Sequence, residues 1–181
     1  MPRTVPVIAS ESPGNFLTGA LWNANVKAMG DWMLGSGSSG VPRFSGYQNT
    51  AQSIPSNTFI PITLDSETID SDGGHSTTTN PSRYTVQVAG TYLVIGEACF
   101  PANATGNRGS RITVNGANIQ GGASMIPSGA GNTMGVPAAA LLQLVVGDYV
   151  EVLGWQSSGA ALNTAVATDY ASSLKVLWVA G

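Results

Sequence analysis

Tyr84-Thr85-Val86-Gln87-Val88, Gly90-Thr91-Tyr92-Leu93-Val94-Ile95, Arg111-Ile112-Thr113-Val114-Asn115-Gly116, Leu141-Leu142-Gln143-Leu144-Val145-Val146-Gly147-Asp148 and Ser172-Ser173-Leu174-Lys175-Val176-Leu177-Trp178-Val179 follow one another through the second half of the chain. Each piece is about strand length, alternates β-branched or aromatic residues with polar ones, and stops at or near Gly, Asn or Asp. Such alternation buries one face of a strand and wets the other, the pattern of an antiparallel sandwich. Asn115-Gly116 is the strongest hairpin signal, because both residues tolerate positive φ and so match the twist of the flanking strands. Ala89-Gly90 and Gly147-Asp148 mark two further tight turns.

Extending the same reading outward predicts strands over 44–48, 58–64, 84–88, 91–100, 110–114, 117–120, 134–144, 149–156 and 172–179. Short strands without helices between them indicate a sandwich or jelly roll, not a parallel α/β sheet. The globular body is expected over 41–181, preceded by an appendage over 1–40. Within that appendage Pro2, Pro6 and Pro13 keep the first residues extended. Trp22, Val26, Met29 and Met33 then recur at i, i+4, i+7 and i+11, one stripe of a helix with Thr18 as N-cap. Gly19 and Gly30 each cost such a helix about 1 kcal/mol, so it calls for a partner surface. Gly35-Ser36-Gly37-Ser38-Ser39-Gly40 has the composition of a flexible linker. The expectation is therefore a docking helix tethered apart from the body, with Leu21, Trp22, Val26, Met29, Trp32 and Met33 as its contact residues.

Charged residues make up only 9% of the 181-residue chain, against roughly 25% in an average soluble protein. A surface so poor in charge fits a chain that buries much of itself in an assembly. Seven basic and ten acidic residues, with no basic cluster, argue against nucleic-acid binding. No apolar stretch is long enough to span a bilayer, and no charged-then-apolar leader opens the chain, so synthesis in a cytoplasm without cleaved export is expected.

Candidate chemistry is sparse. Asp65, Glu67, Asp70 and Asp72 crowd together, but the closing Glu of a calcium loop is missing, and a solvated acidic loop is expected instead of a metal site. His75 is the single histidine, so a Ser-His-Asp hydrolase would have to pair it with Ser71 or Ser76. Neither serine sits in a strand-turn-helix elbow, and an exposed loop histidine is expected. Ten scattered acids neither support nor exclude a glycosidase pair. Cys99, alone in the chain, reads as a small buried side chain. Asn103-Ala104-Thr105 reads as an unmodified loop, and Arg108 and Arg111 as rim or intersubunit ion-pair residues. No catalytic residue, metal or cofactor is assigned.

Taken in order and spacing, several of these pieces resemble the C1q/TNF-like jelly roll: Thr58-Phe59-Ile60-Pro61-Ile62, Tyr84 to Val88, Gly90-Thr91-Tyr92-Leu93-Val94, Arg111 to Gly116, the Gln143-Leu144 to Gly147-Asp148 corner, and a closing strand from Ser173 to Leu177. In that strand Leu174 and Val176 stand where the family has aromatic and glycine positions. The resemblance implies an all-β antiparallel jelly-roll sandwich that forms a compact homotrimer. It places Ile95, Pro137 or Ala138, and Leu174 along the threefold axis. It also leaves Glu97 beside Ile95 and Cys99, where it needs an edge, an Arg partner or solvent.

A second, shorter resemblance lies in Phe16-Leu17-Thr18-Gly19-Ala20-Leu21-Trp22-Asn23-Ala24-Asn25-Val26, which is similar to a stretch that opens many structural proteins of tailed bacteriophages. Together the two imply a homotrimeric virion protein, a capsid decoration or head-fibre knob whose residues 1–40 grip the major capsid protein or another virion protein. A short tail fibre is the alternative, with loops 103–108 and 157–164 touching host surface glycan or protein. A surface glycan hydrolase or esterase is disfavoured, because it would require His75 in a cleft of convergent titrating groups.

Overall fold

The computed structural model describes residues 5–8, 10, 12, 14, 16, 18–35 and 40–181. Much of the predicted arm and the middle of the Gly/Ser linker lie outside the described residues. The strands are β1 (Arg43–Tyr47), β2 (Ser53–Ile54), β3 (Ile60–Pro61), β4 (Ser66–Asp70), β5 (Arg83–Thr85), β6 (Gly90–Phe100), β7 (Asn107–Val114), β8 (Ala117–Pro127), β9 (Met134–Leu144), β10 (Tyr149–Gln156), β11 (Leu162–Asn163), β12 (Val166–Ala167), β13 (Tyr170–Ala171) and β14 (Ser173–Ala180). Two sheets face each other, one in the order β4-β1-β14-β6-β9 and one in the order β3-β10-β7-β8, with β5 also paired to β10. The ladders joining these strands are antiparallel.

The period of two decides what lies between the sheets. Along β6, Tyr92, Val94, Gly96 and Ala98 point inward and are buried, while Leu93, Ile95 and Glu97 alternate outward. They meet Ile112 of β7, Val150 and Val152 of β10, Ala138 and Leu144 of β9, and Leu174 and Val176 of β14. Each large apolar side chain sealed here contributes about 1.5–3 kcal/mol. Gly96 sets the separation locally, because a Cβ there would stand 2.6 Å from Val152 Cγ2. Buried Tyr92 keeps its hydroxyl satisfied by donating to the Val88 carbonyl at 2.6 Å.

The two turns read separately in the sequence form one clasp. Asn115, at φ 52°, donates from Nδ2 to Asp148 Oδ1 at 2.8 Å and accepts from the Tyr149 amide at Oδ1 at 3.0 Å. Asp148 Oδ2 accepts from the Val145 amide at 2.9 Å. That amide first, and Asn115 second, hold the Asp148 carboxyl below the usual aspartate range. Hairpin β7–β8 is thereby locked to the β9–β10 connection, which crosses from one sheet to the other.

Two expectations are corrected. The acidic stretch 65–72 is no solvated loop: Ser66–Asp70 is the edge strand β4, paired to β1. Its acids act on the backbone around them, Asp65 accepting from the Asn49 amide and Asp70 from the amides of Gly74 and His75. Charge on an edge strand also discourages pairing with another chain. The predicted strand 58–64 shortens to Ile60–Pro61, where proline limits the ladder.

The helix is present as one continuous segment, α-helical over Gly19–Leu21, π-helical over Trp22–Lys27 and α-helical over Ala28–Leu34. Thr18 caps it as expected, its Oγ1 accepting from the Leu21 amide at 3.2 Å. The expectation that it stands apart from the body fails at its last turn. Trp32 is buried against Trp178 of β14, ring centroids 5.4 Å apart and planes nearly perpendicular. The more buried side of the segment carries Leu21, Asn25, Ala28, Met29 and Trp32, while Trp22, Val26 and Met33 face solvent. The wider π turn shifts the phase of the predicted stripe.

Candidate assembly face

The outer face of the five-stranded sheet is built by the same alternation that fills the core. Registers across β14, β6 and β9 line up three rows: Leu177, Leu93 and Leu141; Lys175, Ile95 and Ala139; Ser173, Glu97 and Pro137. Ile69 of edge strand β4 extends the middle row through Ser45 of β1. Leu141 is 65% exposed, and Ile69, Ile95 and Leu177 are all well exposed in the single chain. Arg43, Ser45, Ile69, Leu93, Ile95 and Leu177 border a shallow, largely apolar depression in the middle of this face. Contiguous apolar surface of this kind marks an interaction site.

The four predicted axis residues divide. Ile95 and Pro137 lie on this exposed face. Ala138 and Leu174 point the opposite way, into the core of their own sandwich, and cannot meet another subunit. Their outward neighbours are Ala139 and Lys175. A one-residue displacement in a strand turns the side chain to the other face. Glu97 lies on the outer face and folds over Gly135, so closely that any Cβ at that position would collide with its carboxylate. Lys175 Nζ donates to Ser173 Oγ at 2.9 Å.

The six candidate docking residues also divide. Trp32 is covered by Trp178, with Val5, Met29, Met33, Val41 and Val179 around the same hollow. Trp22 (48% exposed), Val26 and Met33 remain outward, Leu21 and Met29 intermediate.

The candidate chemistry resolves into structural roles. His75 is not an exposed loop histidine; its side chain is fully buried. Nδ1 lies 2.8 Å from Glu67 Oε2, Nε2 lies 3.1 Å from the Pro81 carbonyl, and the ring packs on Phe44 at 4.8 Å. Both nitrogens are thus taken, leaving neither for a serine. Ser71 Oγ accepts from the Arg43 amide at 2.8 Å, and Ser76 Oγ from the amides of Thr78 and Thr79. Asp72 accepts from the Tyr84 hydroxyl at 3.0 Å, and burial, then that carboxylate, push the phenol well above its usual range. No group of three His, Cys, Asp or Glu able to hold a metal ion occurs among the described residues. Cys99 is buried, its thiol pushed up to about 12 by burial and then by Glu97, which keeps it in the unreactive protonated form.

Arg108 does not play its expected part. Arg108 is completely buried, its guanidinium donating to the carbonyls of Asn103, Thr105 and Asn107, and burial lowers its pKa from the ordinary value. It pins the loop 103–107 instead of presenting charge at a rim. Arg111 lies over the Phe59 ring at 3.7 Å and bonds Asn118 Oδ1 at 2.9 Å. Nothing in the sequence around Arg108 distinguishes it from a surface arginine, since its cage is made of backbone carbonyls. The two loops predicted as outer contacts do meet: Asn107 donates to Ser157 Oγ at 2.9 Å, and Ser157 donates from its amide to the Asn107 carbonyl at 3.1 Å.

No protein-family model and no curated protein matches the sequence. Solved structures do. The globular domain of zebrafish complement 1qA protein aligns with a TM-score of 0.57 at 15% identity, over 76% of this chain and 97% of that one. Murine APRIL at pH 5.0 aligns with a TM-score of 0.59 at 12% identity, over 77% of this chain and 99% of that one. Eiger TNF from S. frugiperda aligns with a TM-score of 0.54 at 16% identity, over 77% and 92%. The fold is the C1q/TNF-like jelly roll, as the sequence predicts. At such identities the likeness establishes architecture alone.

Proposed function

We propose that the protein is a structural, non-enzymatic knob that assembles as a homotrimer on a bacteriophage virion, most simply as a capsid decoration or head-fibre protein. The observation that carries the assembly is the exposed apolar face on β14, β6 and β9, which one subunit leaves uncovered and a threefold arrangement of copies would bury. The low charge content and the fold support the same reading. The virion assignment rests on the similarity of 16–26 to openings of phage structural proteins, and on the solvent-facing Trp22, Val26 and Met33 of the helix that stretch forms. Three such helices on one knob would make several weak contacts act as one strong one.

A short tail fibre is the second reading, favoured by the junction of loops 103–108 and 157–164 into one surface that could meet a host glycan or protein. Two measurements test these statements. Solution mass at micromolar concentration is expected to give three chains; a stable monomer overturns the trimer. Purified particles are expected to contain the protein in hundreds of copies; a handful selects the tail, and its absence from particles overturns the virion role.

A further inference from the structure

Two charges stand near the centre of the assembly face, Lys175 opposite Ile95 and Glu97 between Ser173 and Pro137. Among the described residues neither makes an ion pair within its own chain; the ion pairs found join Lys27 to Asp31, His75 to Glu67 and Arg83 to Glu151. Lys175 reaches only the neutral Ser173 hydroxyl, and Glu97 lies across Gly135. Three other charges border the face, and Asp169 lines the same hollow as Lys175 and Glu97. Arg43 donates to the Gly35 carbonyl at 3.2 Å, Glu67 holds His75, and Asp169 is exposed on the turn between β12 and β13.

Covering this face with copies of itself removes both charges from water, and a charge buried alone is far more costly than a charge buried with its opposite. A threefold axis presents each charge three times, so three lysines at the seam require three carboxylates. One Glu97 per chain supplies them in equal number. We propose that, in the trimer, Lys175 of each protomer pairs with Glu97 of the next, and that this ring of alternating charges fixes how the apolar rows align. The inference rests on the trimeric reading above and adds to it the contact that specifies register and excludes other pairings.

The test uses Lys175→Glu and Glu97→Lys in the full chain, with the assembly state followed by native mass spectrometry. Each variant alone is expected to assemble roughly 100-fold more weakly than the parent, the scale of a buried charge that has lost its partner. Mixing the two is expected to recover assembly in part, as trimers containing both chains, because in a ring of three two seams then set opposite charges at 175 and 97 against each other while the third keeps like charges. Assembly of either variant as well as the parent overturns the proposal. So does dissociation of both with no recovery on mixing, which places the pair within one chain. A parent protein that is itself monomeric instead refutes the trimeric reading. Asp169→Asn is expected to leave assembly unchanged; its failure to assemble would transfer the partnership to Asp169 and overturn the assignment of Glu97. Should a reversal not fold, Lys175→Gln and Glu97→Gln carry the test: each alone weakens assembly, the double variant recovers it, and a double variant no better than the singles overturns the pairing.

Discussion

Replacing Trp32 by alanine separates a helix held on the knob from a helix merely joined to it. Trp32 is 5% exposed, and its ring meets Trp178 edge to face. A tryptophan buries about 150–250 Å², which at about 25 cal/mol per Å² amounts to roughly 4–6 kcal/mol. Partial burial in the unfolded chain and the cost of ordering the ring reduce this to about 3 kcal/mol, or roughly 100-fold in the open population. Little else would preserve the helix once released, because the segment is short and contains Gly19 and Gly30. The assay is trypsin cleavage after Lys27, which is exposed and ion-paired to Asp31 on the same helix. Where cleavage is slow relative to reclosing, its rate follows the open population. Trp32→Ala should therefore be cut there roughly 100-fold faster, while the melting midpoint of the knob moves by no more than about 2 °C. Cleavage within about threefold of the parent rate would refute the docking of this helix, and a collapse of the knob's midpoint would refute its independence from the jelly roll.

Two further expectations concern the knob itself. His75→Ala removes a ring packed on Phe44 and its hydrogen bonds to Glu67 and Pro81, costing about 3 kcal/mol and lowering the melting midpoint by about 10 °C, whereas Ser76→Ala stays within about 0.5 kcal/mol; equal midpoints would show that the ring does not hold β4 to the sandwich. Asp148 is held below its unfolded pKa, so its contribution is complete above the unfolded value of about 3.9 and is lost as pH falls through the folded one. Denaturation midpoints measured from pH 6 down to pH 2 should accordingly fall less steeply for Asp148→Asn than for the parent; parallel curves would rule out the clasp with Asn115 and Val145 as a source of that slope.

How legible each part was in the sequence follows from the range of the interactions that fix it. Strands β6 and β9 were readable because each alternates over eight or more residues and adjoins a tight turn, at Ala89-Gly90 and Gly147-Asp148. Strand β4 was not, since Glu67 and Asp70 read as loop composition, whereas at an edge Asp70 bonds neighbouring amides, Glu67 bonds the His75 ring, and both charges discourage further pairing. His75 looked solvated because Gly73, Gly74 and Ser76 surround it. Phe44, against which its ring packs, comes from a distant strand and leaves no local trace. The helix stripe was displaced for a related reason, because a π turn and one contact to Trp178 decide which side faces the body.

The axis residues show how much a single position matters in a strand. With Leu174 and Ala138 outward, Lys175 would have pointed inward, and Glu97 would have stood among apolar residues with no lysine in the neighbouring row. The structure turns both inward and brings Lys175 and Ala139 outward, so the same apolar rows now carry a cation near their centre. A charge there is tolerable while one subunit is in water and becomes a requirement once the face is covered. Glu97, which on the sequence alone was an anomaly beside Ile95, then has a reason to be where it is. Its strand supplies the opposite sign in the row next to Lys175, and Gly135 leaves the space in which its carboxylate lies flat against the sheet instead of blocking the approach of another subunit.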